Sequence, residues 1–272
     1  METRILFTDL DGTLLDDQKN ITPGNRAAIR QALSLGHKIV IATGRPLAGA
    51  RIQARRIGLI ADGCYAITFN GAQICDMYRD ETLFSQPLSA ALVKPLFQAA
   101  YQAGIHIQTY SSTHILTEHD TEALHEYAAL NQLPYHIVDD ITSALEGDPH
   151  KLIAISPNGH ERLLAFQRDV LSRYSGILDS FFSNDDFLEI VSAGTSKGEA
   201  VKWLCRYLSI PIENSVAAGD AQNDISMLEA AHVGAVMCNA FPGITEHGSY
   251  VTKADNNHDG VAEIIHRFIL KD

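Results

Sequence analysis

Two continuous apolar runs, ILFT at 5–8 and KIVIA at 38–42, stand on either side of one helical segment with short connections, and this arrangement constrains the fold more than any other feature. Runs without apolar–polar alternation suit strands that are buried on both faces. Between them, ITPGNRAAIRQALSLG offers Thr22 as a cap, Pro23 in the first turn, apolar residues at helical spacing and Gly36 as a stop. Strand, helix and strand joined so closely make a βαβ unit, which predicts a parallel sheet. PLAGARIQARRIGL continues as a helix, and YAITFNG as a third strand ending at Asn70.

The rhythm changes near residue 84. SAALVKPLFQAAYQAG reads as a helix, IHIQTYSSTHILTE as two short strands around a turn, and DTEALHEYAALNQL as a helix. HKLIAISPN follows as a strand, HERLLAFQRDVLSRY as a long amphipathic helix, and FFSNDDFLEIVSAG as another strand pair. Strands and helices in this order, without long buried runs, predict an α+β domain on an antiparallel sheet. After Gly194 the first rhythm returns with SKGEAVKWLCRYLSI as a helix, SVAAGD as a strand ending at Asp220, NDISMLEAAH as a helix, VGAVM as a strand and EIIHRFIL as a terminal helix. The expected architecture is an α/β, Rossmann-like parallel-sheet core made of residues 1–84 and 191–272, with residues 85–190 inserted as an α+β domain.

Three places at the carboxyl ends of the predicted parallel strands carry chemistry: Asp9 with Asp11, Thr43 with Gly44, and Asp220 with Asn223 and Asp224. Open α/β sheets bind ligands outside those ends. Taken singly, Asp-Gly and Asn-Asp are ordinary turn formers. Their coincidence is what points to a site.

FTDLDGTLL, IATGRP, Lys197 in SKGEAV and GDAQND, in this order, resemble the four motifs of the haloacid dehalogenase-like hydrolase superfamily. They are most similar to its Cof-type phosphatases, which carry a large cap of the C2 type between the second and third motifs, and NGA at 70–72 shares the likeness. The resemblance implies Mg²⁺-dependent hydrolysis of small phosphorylated metabolites such as sugar phosphates. It implies Asp9 as nucleophile, forming an aspartyl-phosphate, and Asp11 as general acid and base. Asp9, the backbone carbonyl of Asp11, and Asp220 would hold the metal. Thr43, Gly44, Lys197, the Leu10 amide and Asn223 would bind the phosphoryl oxygens, with Asp224 supporting the metal site and Arg45 and Asn70 as substrate contacts. The stretch 14–42 is mostly helix and leaves no room for a cap there. Two rivals share the fold: a phosphohexomutase, which returns the phosphoryl group to sugar, and a metabolite-binding protein with a defective motif.

The inserted domain is expected to close over the phosphate and read the leaving group, with hinges near 84 and 191. Its His106, His114, His119, His125, His136, His150 and His160 form no HxH or HxxxH pair, so a zinc site is not expected there. Tyr110, Asp185, Asp186 and Glu189 are candidate substrate contacts.

The 21 basic and 33 acidic residues leave a net charge of −12, which disfavours nucleic acid and anionic membranes as partners. No obligate protein partner is evident. The same field repels a phosphate ester, so a divalent cation held by local carboxylates is needed to reverse it. Cys64, Cys75, Cys205 and Cys238 form no CxxC pair and read as small buried side chains in a reducing compartment. With no leader-like N-terminus and no long apolar run, a cytoplasmic protein is expected.

Overall fold

The computed structural model describes residues 2–270. Its first half runs β1 (Ile5–Thr8), α1 (Pro23–Ser34), β2 (Lys38–Ala42), α2 (Leu47–Ile57), β3 (Cys64–Thr68), β4 (Gln73–Asp76) and β5 (Glu81–Ser85), then α3 (Val93–Gln102), β6 (His106–Tyr110), β7 (Ile115–Thr117) and α4 (Glu122–Asn131). The chain goes on through β8 (Tyr135–Ile137), α5 (Ile141–Ala144), β9 (Leu152–Ile155), α6 (His160–Arg173), β10 (Leu178–Asn184) and β11 (Phe187–Ser192). It finishes with α7 (Lys197–Tyr207), β12 (Ser215–Gly219), α8 (Ile225–Ala230), β13 (Val233–Val236), β14 (Tyr250–Val251) and α9 (Gly260–Ile264). These elements pack as two compact units, one of Met1–Gly44, Ala50–Phe84 and Ser196–Asp272, the other of Arg45–Gly49 and Ser85–Thr195.

The first unit is built on an 8-stranded sheet in the order β14-β13-β12-β1-β2-β3-β4-β5. From β14 to β3 every pair is parallel, and β4 turns back antiparallel on β3. The apolar runs are buried on both faces: on one, Ile5, Phe7, Val40, Ala42, Ile67 and Ala217 share a cluster with Val201, Leu204, Met227 and Leu228 of α7 and α8, and the alternate residues Leu6, Ile39 and Ile41 are equally buried. At roughly 25 cal/mol per Å² of apolar surface, this burial is the main force that seats β1 and β12 side by side. It therefore also fixes the residues that follow them.

The second unit has a 6-stranded sheet in the order β10-β11-β9-β6-β7-β8. The expected antiparallel pairing holds except for β8, which lies parallel to β7. Its core joins Phe97, Ile107, Leu152, Leu163, Phe166 and Ile190. Among the described residues no helix is long and apolar enough to cross a membrane.

Four local readings change. The hairpin of β4 and the short β8 and α5 lie in stretches with no legible period. Thr22 occupies the cap position of α1 without a side-chain cap bond, and Asp259 Oδ1 instead accepts from the Asn25 amide at 3.0 Å. Asp224 closes a single 3₁₀ turn, Gln222–Asp224, ahead of α8 rather than sitting within that helix. Cys238 is exposed, unlike the other three cysteines.

Candidate active site

β1 and β12 run parallel in register, Thr8 opposite Ala218, so Asp9 and Asp220 leave the sheet side by side at its carboxyl edge. The ladder reaches Asp9 itself, whose amide donates to the Ala218 carbonyl at 3.0 Å. The chain then folds over in a tight turn, with the Leu14 amide on the Asp9 carbonyl and the Leu15 amide on the Leu10 carbonyl. Gly12 adopts φ +82° in that turn, and a Cβ there would stand 2.5 Å from Asp220 Oδ2. Only glycine lets the turn come so close to the carboxylate.

Asp9, Asp220 and Asp224 are all buried, and each offers an oxygen within 4.8 Å of the others. Lys197, at the start of α7 with a side chain of 0% exposure, places Nζ 2.6 Å from Asp9 Oδ1 and 2.6 Å from Asp224 Oδ1. Asp224 spends its other oxygen on the Asp220 and Ala221 amides, at 3.0 and 3.1 Å. Asp220 Oδ1 accepts from the Thr13 hydroxyl at 2.5 Å. Thr13 is a site residue that sequence reasoning passed over, although it stands within the first motif.

Three carboxylates against one ammonium leave the cluster under-neutralised. Burial pushes the Asp9 carboxyl well above its usual range; Lys197 opposes that rise, and the Asp224 and Asp220 charges add to it. Burial and the Asp224 charge raise Asp220 to about 7, against the Thr13 hydrogen bond and Lys197. Burial works against the Lys197 charge, but Asp224 and Asp9 outweigh it and hold the ammonium protonated above the ordinary lysine range. A buried, oxygen-only donor set with surplus negative charge fits a hard divalent cation. Among these carboxylates, Asp224 is the most fully engaged by the protein.

Thr43 and Gly44 follow β2 on the same edge, one strand from Asp9. Thr43 takes the Asn70 amide on its carbonyl at 3.1 Å. Asn70 is 1% exposed and left-handed at φ 56°, held against Gly44, and its side-chain oxygen accepts from Asn223 Nδ2 at 3.2 Å. Its amide nitrogen Nδ2 is buried with no partner. Gly71 supports this corner, since a Cβ there would meet the Ser196 carbonyl oxygen at 2.2 Å. The first unit thus gathers Asp9, Leu10, Asp11, Thr43, Gly44, Asn70, Lys197, Asp220, Asn223 and Asp224, whereas Arg45 is buried and groups with the second unit. Asp11 is half-buried, and Lys19 Nζ lies 2.7 Å from its Oδ1.

In the second unit, Tyr110 and Glu189 belong to a buried polar cluster. The Tyr110 and Tyr127 hydroxyls are 2.6 Å apart, Lys151 Nζ lies 2.7 Å from Glu189 Oε2, and that ammonium sits 5.3 Å from the Tyr110 ring centre. Asp185 and Asp186 make the turn between β10 and β11, where Asp186 Oδ1 accepts from the Asn158 amide and the Asp185 carbonyl faces His160 Nδ1, tying that turn to the connection from β9 to α6.

Comparison with known proteins agrees with this geometry. A sequence model of a haloacid dehalogenase-like hydrolase family matches residues 6–265. The chain is 29% identical over 272 residues to YxeH of Bacillus subtilis (strain 168), covering 98% of each. It is 27% identical to the HMP-PP phosphatase of Yersinia pseudotuberculosis serotype O:1b (strain IP 31758), over 98% of this chain and 95% of that protein. A solved haloacid dehalogenase-like hydrolase from Bacteroides thetaiotaomicron superposes with a TM-score of 0.89 at 27% identity, covering 98% of this chain and 99% of the other.

Proposed function

The chain belongs to the haloacid dehalogenase-like hydrolase family and is a phosphatase, and we propose that it hydrolyses small-molecule phosphate monoesters with Mg²⁺ through an aspartyl-phosphate on Asp9. The observation that carries this reading is Lys197 bridging Asp9 and Asp224 beside Asp220, all at the carboxyl edge of the parallel sheet.

Asp9 Oδ attacks phosphorus as the bond to the leaving oxygen breaks, and Asp11 gives its proton to the departing alkoxide. Water then attacks the phosphorus of the acyl-phosphate, Asp11 takes its proton, and inorganic phosphate leaves with Asp9 restored. An alkoxide needs such an acid and a halide does not, so Asp11 favours phosphoryl transfer over dehalogenation. Lys197, the Thr43 hydroxyl, the Leu10 and Gly44 amides, and Asn223 hold the phosphoryl oxygens, with Asn70 Nδ2 offering a further buried donor. Asp9, the Asp11 carbonyl and Asp220 are the protein ligands for Mg²⁺, and Asp224 orients Lys197 and the Asp220 backbone. Bound Mg²⁺ would neutralise phosphoryl charge and admit a dianion to an acidic protein. Residues 85–190 act as a substrate-specificity cap that reads the leaving group, with Arg45 as a substrate contact.

The test is release of inorganic phosphate from a panel of phosphate monoesters with Mg²⁺, with EDTA, and by Asp9→Asn. Activity confined to the metal-loaded wild type supports the mechanism. Activity surviving EDTA or Asp9→Asn overturns it.

A further inference from the structure

Lys19 is a lysine in a conformation that disfavours it. It sits at φ 61° in the turn that follows the first motif, where glycine or asparagine would suit the backbone better. The turn is closed by the Lys19 amide on the Asp16 carbonyl at 2.9 Å, the Asp16 amide on the Asn20 carbonyl at 2.8 Å, and the Asn20 amide on Asp16 Oδ1 at 2.8 Å. Three side chains from elsewhere in the first unit also tie it down. Buried Asn256 donates to the Leu15 carbonyl at 3.0 Å and to Asp17 Oδ1 at 3.1 Å, Asn257 Oδ1 accepts from the Asp17 amide at 3.1 Å, and Arg56 Nη2 donates to Asn20 Oδ1 at 2.9 Å.

This scaffold delivers the Lys19 ammonium 2.7 Å from Asp11 Oδ1. Stability does not account for it, because the two side chains are 39% and 36% exposed, and an ion pair so open to water adds little to folding. A strained backbone held by four outside hydrogen bonds to present one side chain is the signature of a functional constraint.

We propose that Lys19 is a positioning residue for proton transfer: by pinning one oxygen of Asp11, it sets the carboxyl plane from which that residue protonates the leaving group. The inference rests on the acid–base role assigned to Asp11 above.

The experiment compares Lys19→Gly, Lys19→Arg and Asp11→Asn by the single-turnover rate of leaving-group release, which precedes the water attack common to all substrates, on a hexose phosphate, whose alkoxide must be protonated as it leaves, and nitrophenyl phosphate, whose phenolate leaves unaided. Glycine relieves the left-handed backbone, so Lys19→Gly should melt no lower than wild type. Its rate of sugar release from the hexose phosphate should fall about tenfold, the scale expected of a mis-aimed catalytic group, with nitrophenolate release nearly unchanged. Lys19→Arg should recover most of the loss. Equal loss on both substrates, or none, overturns the proposal while leaving Asp11 in its role if Asp11→Asn still discriminates between them. If Asp11→Asn does not discriminate, the acid–base reading fails and the proposal with it.

Discussion

Lys197 Nζ and Asp9 Oδ1 are 2.6 Å apart across 188 residues of sequence, and the lysine side chain has no exposure to solvent. Removing the ammonium leaves Asp9 and Asp224 as buried, uncompensated carboxylates, which typically costs about 3–5 kcal/mol. Lys197→Met should therefore lose both activity and stability, and a denaturant midpoint well below wild type checks the second. Asp9→Asn keeps Lys197 paired with Asp224 and removes a charge that burial disfavours. It should abolish turnover, by at least about a thousandfold, without lowering that midpoint.

The same surplus charge makes stability depend on pH and metal. Asp220 is raised to about 7, so the folded protein holds its proton more tightly than the unfolded chain does. In the metal-free protein this contribution is fully present below the ordinary carboxylate range and is lost as pH rises through about 7. Asp9, also raised, acts with the same sign. Mg²⁺ requires the deprotonated ligands and competes with those protons, so the rise in melting temperature on adding Mg²⁺ should be small near about pH 5 and large near about pH 8. Melting curves with and without Mg²⁺ across that range check it; a gain that is flat with pH would count against the carboxylates as ligands.

The parallel core sheet and the positions of Asp9, Thr43 and Asp220 at its carboxyl edge were legible because unbroken apolar runs mark strands buried on both faces, whereas Lys197, at a helix start, was legible only through its place in the motif series. Thr13, Lys19 and Asn256 were not, because each acts through a partner the chain brings up in space: Asp220 is 207 residues from Thr13, and Asn256 is 241 from Leu15. The edge hairpin of β4 and β5 escaped notice for another reason. The residues of β5 are only half-buried or exposed, so edge pairing leaves no hydrophobic period to read. Lys151 fell within the HKLIAISPN strand with nothing to single it out, and its burial beside Glu189 depends on two strands adjacent only in the folded sheet.

Gly12 separates contact from conformation. Gly12→Ala adds a strained φ, costing of order 1–3 kcal/mol, and also drives a methyl into Asp220 Oδ2. Gly36→Ala is the control, since it has nearly the same φ, +87°, with no atom within 4 Å of the new Cβ. Both variants should lose comparable stability from strain, but Gly12→Ala alone should weaken Mg²⁺ activation, read as a rise in the Mg²⁺ concentration that gives half-maximal rate. If both variants shift it equally, Asp220 is not held by this contact.

The buried pair of Lys151 and Glu189 yields a prediction about the second unit. Their side chains are 1% and 4% exposed, and the ammonium owes its raised pKa to Glu189 and Tyr127 acting against burial. Deleting one partner strands the other charge inside the sheet, so Lys151→Met and Glu189→Leu should each cost about 3–5 kcal/mol, whereas the double variant should be closer to wild type than either. The coupling energy from the full cycle, measured by denaturant unfolding, distinguishes a mutually dependent pair from two independent polar contacts. Additive losses would mean that Glu189 answers chiefly to Ser183, whose hydroxyl donates to its other oxygen at 2.9 Å, and that the ammonium is held by other groups in the cluster.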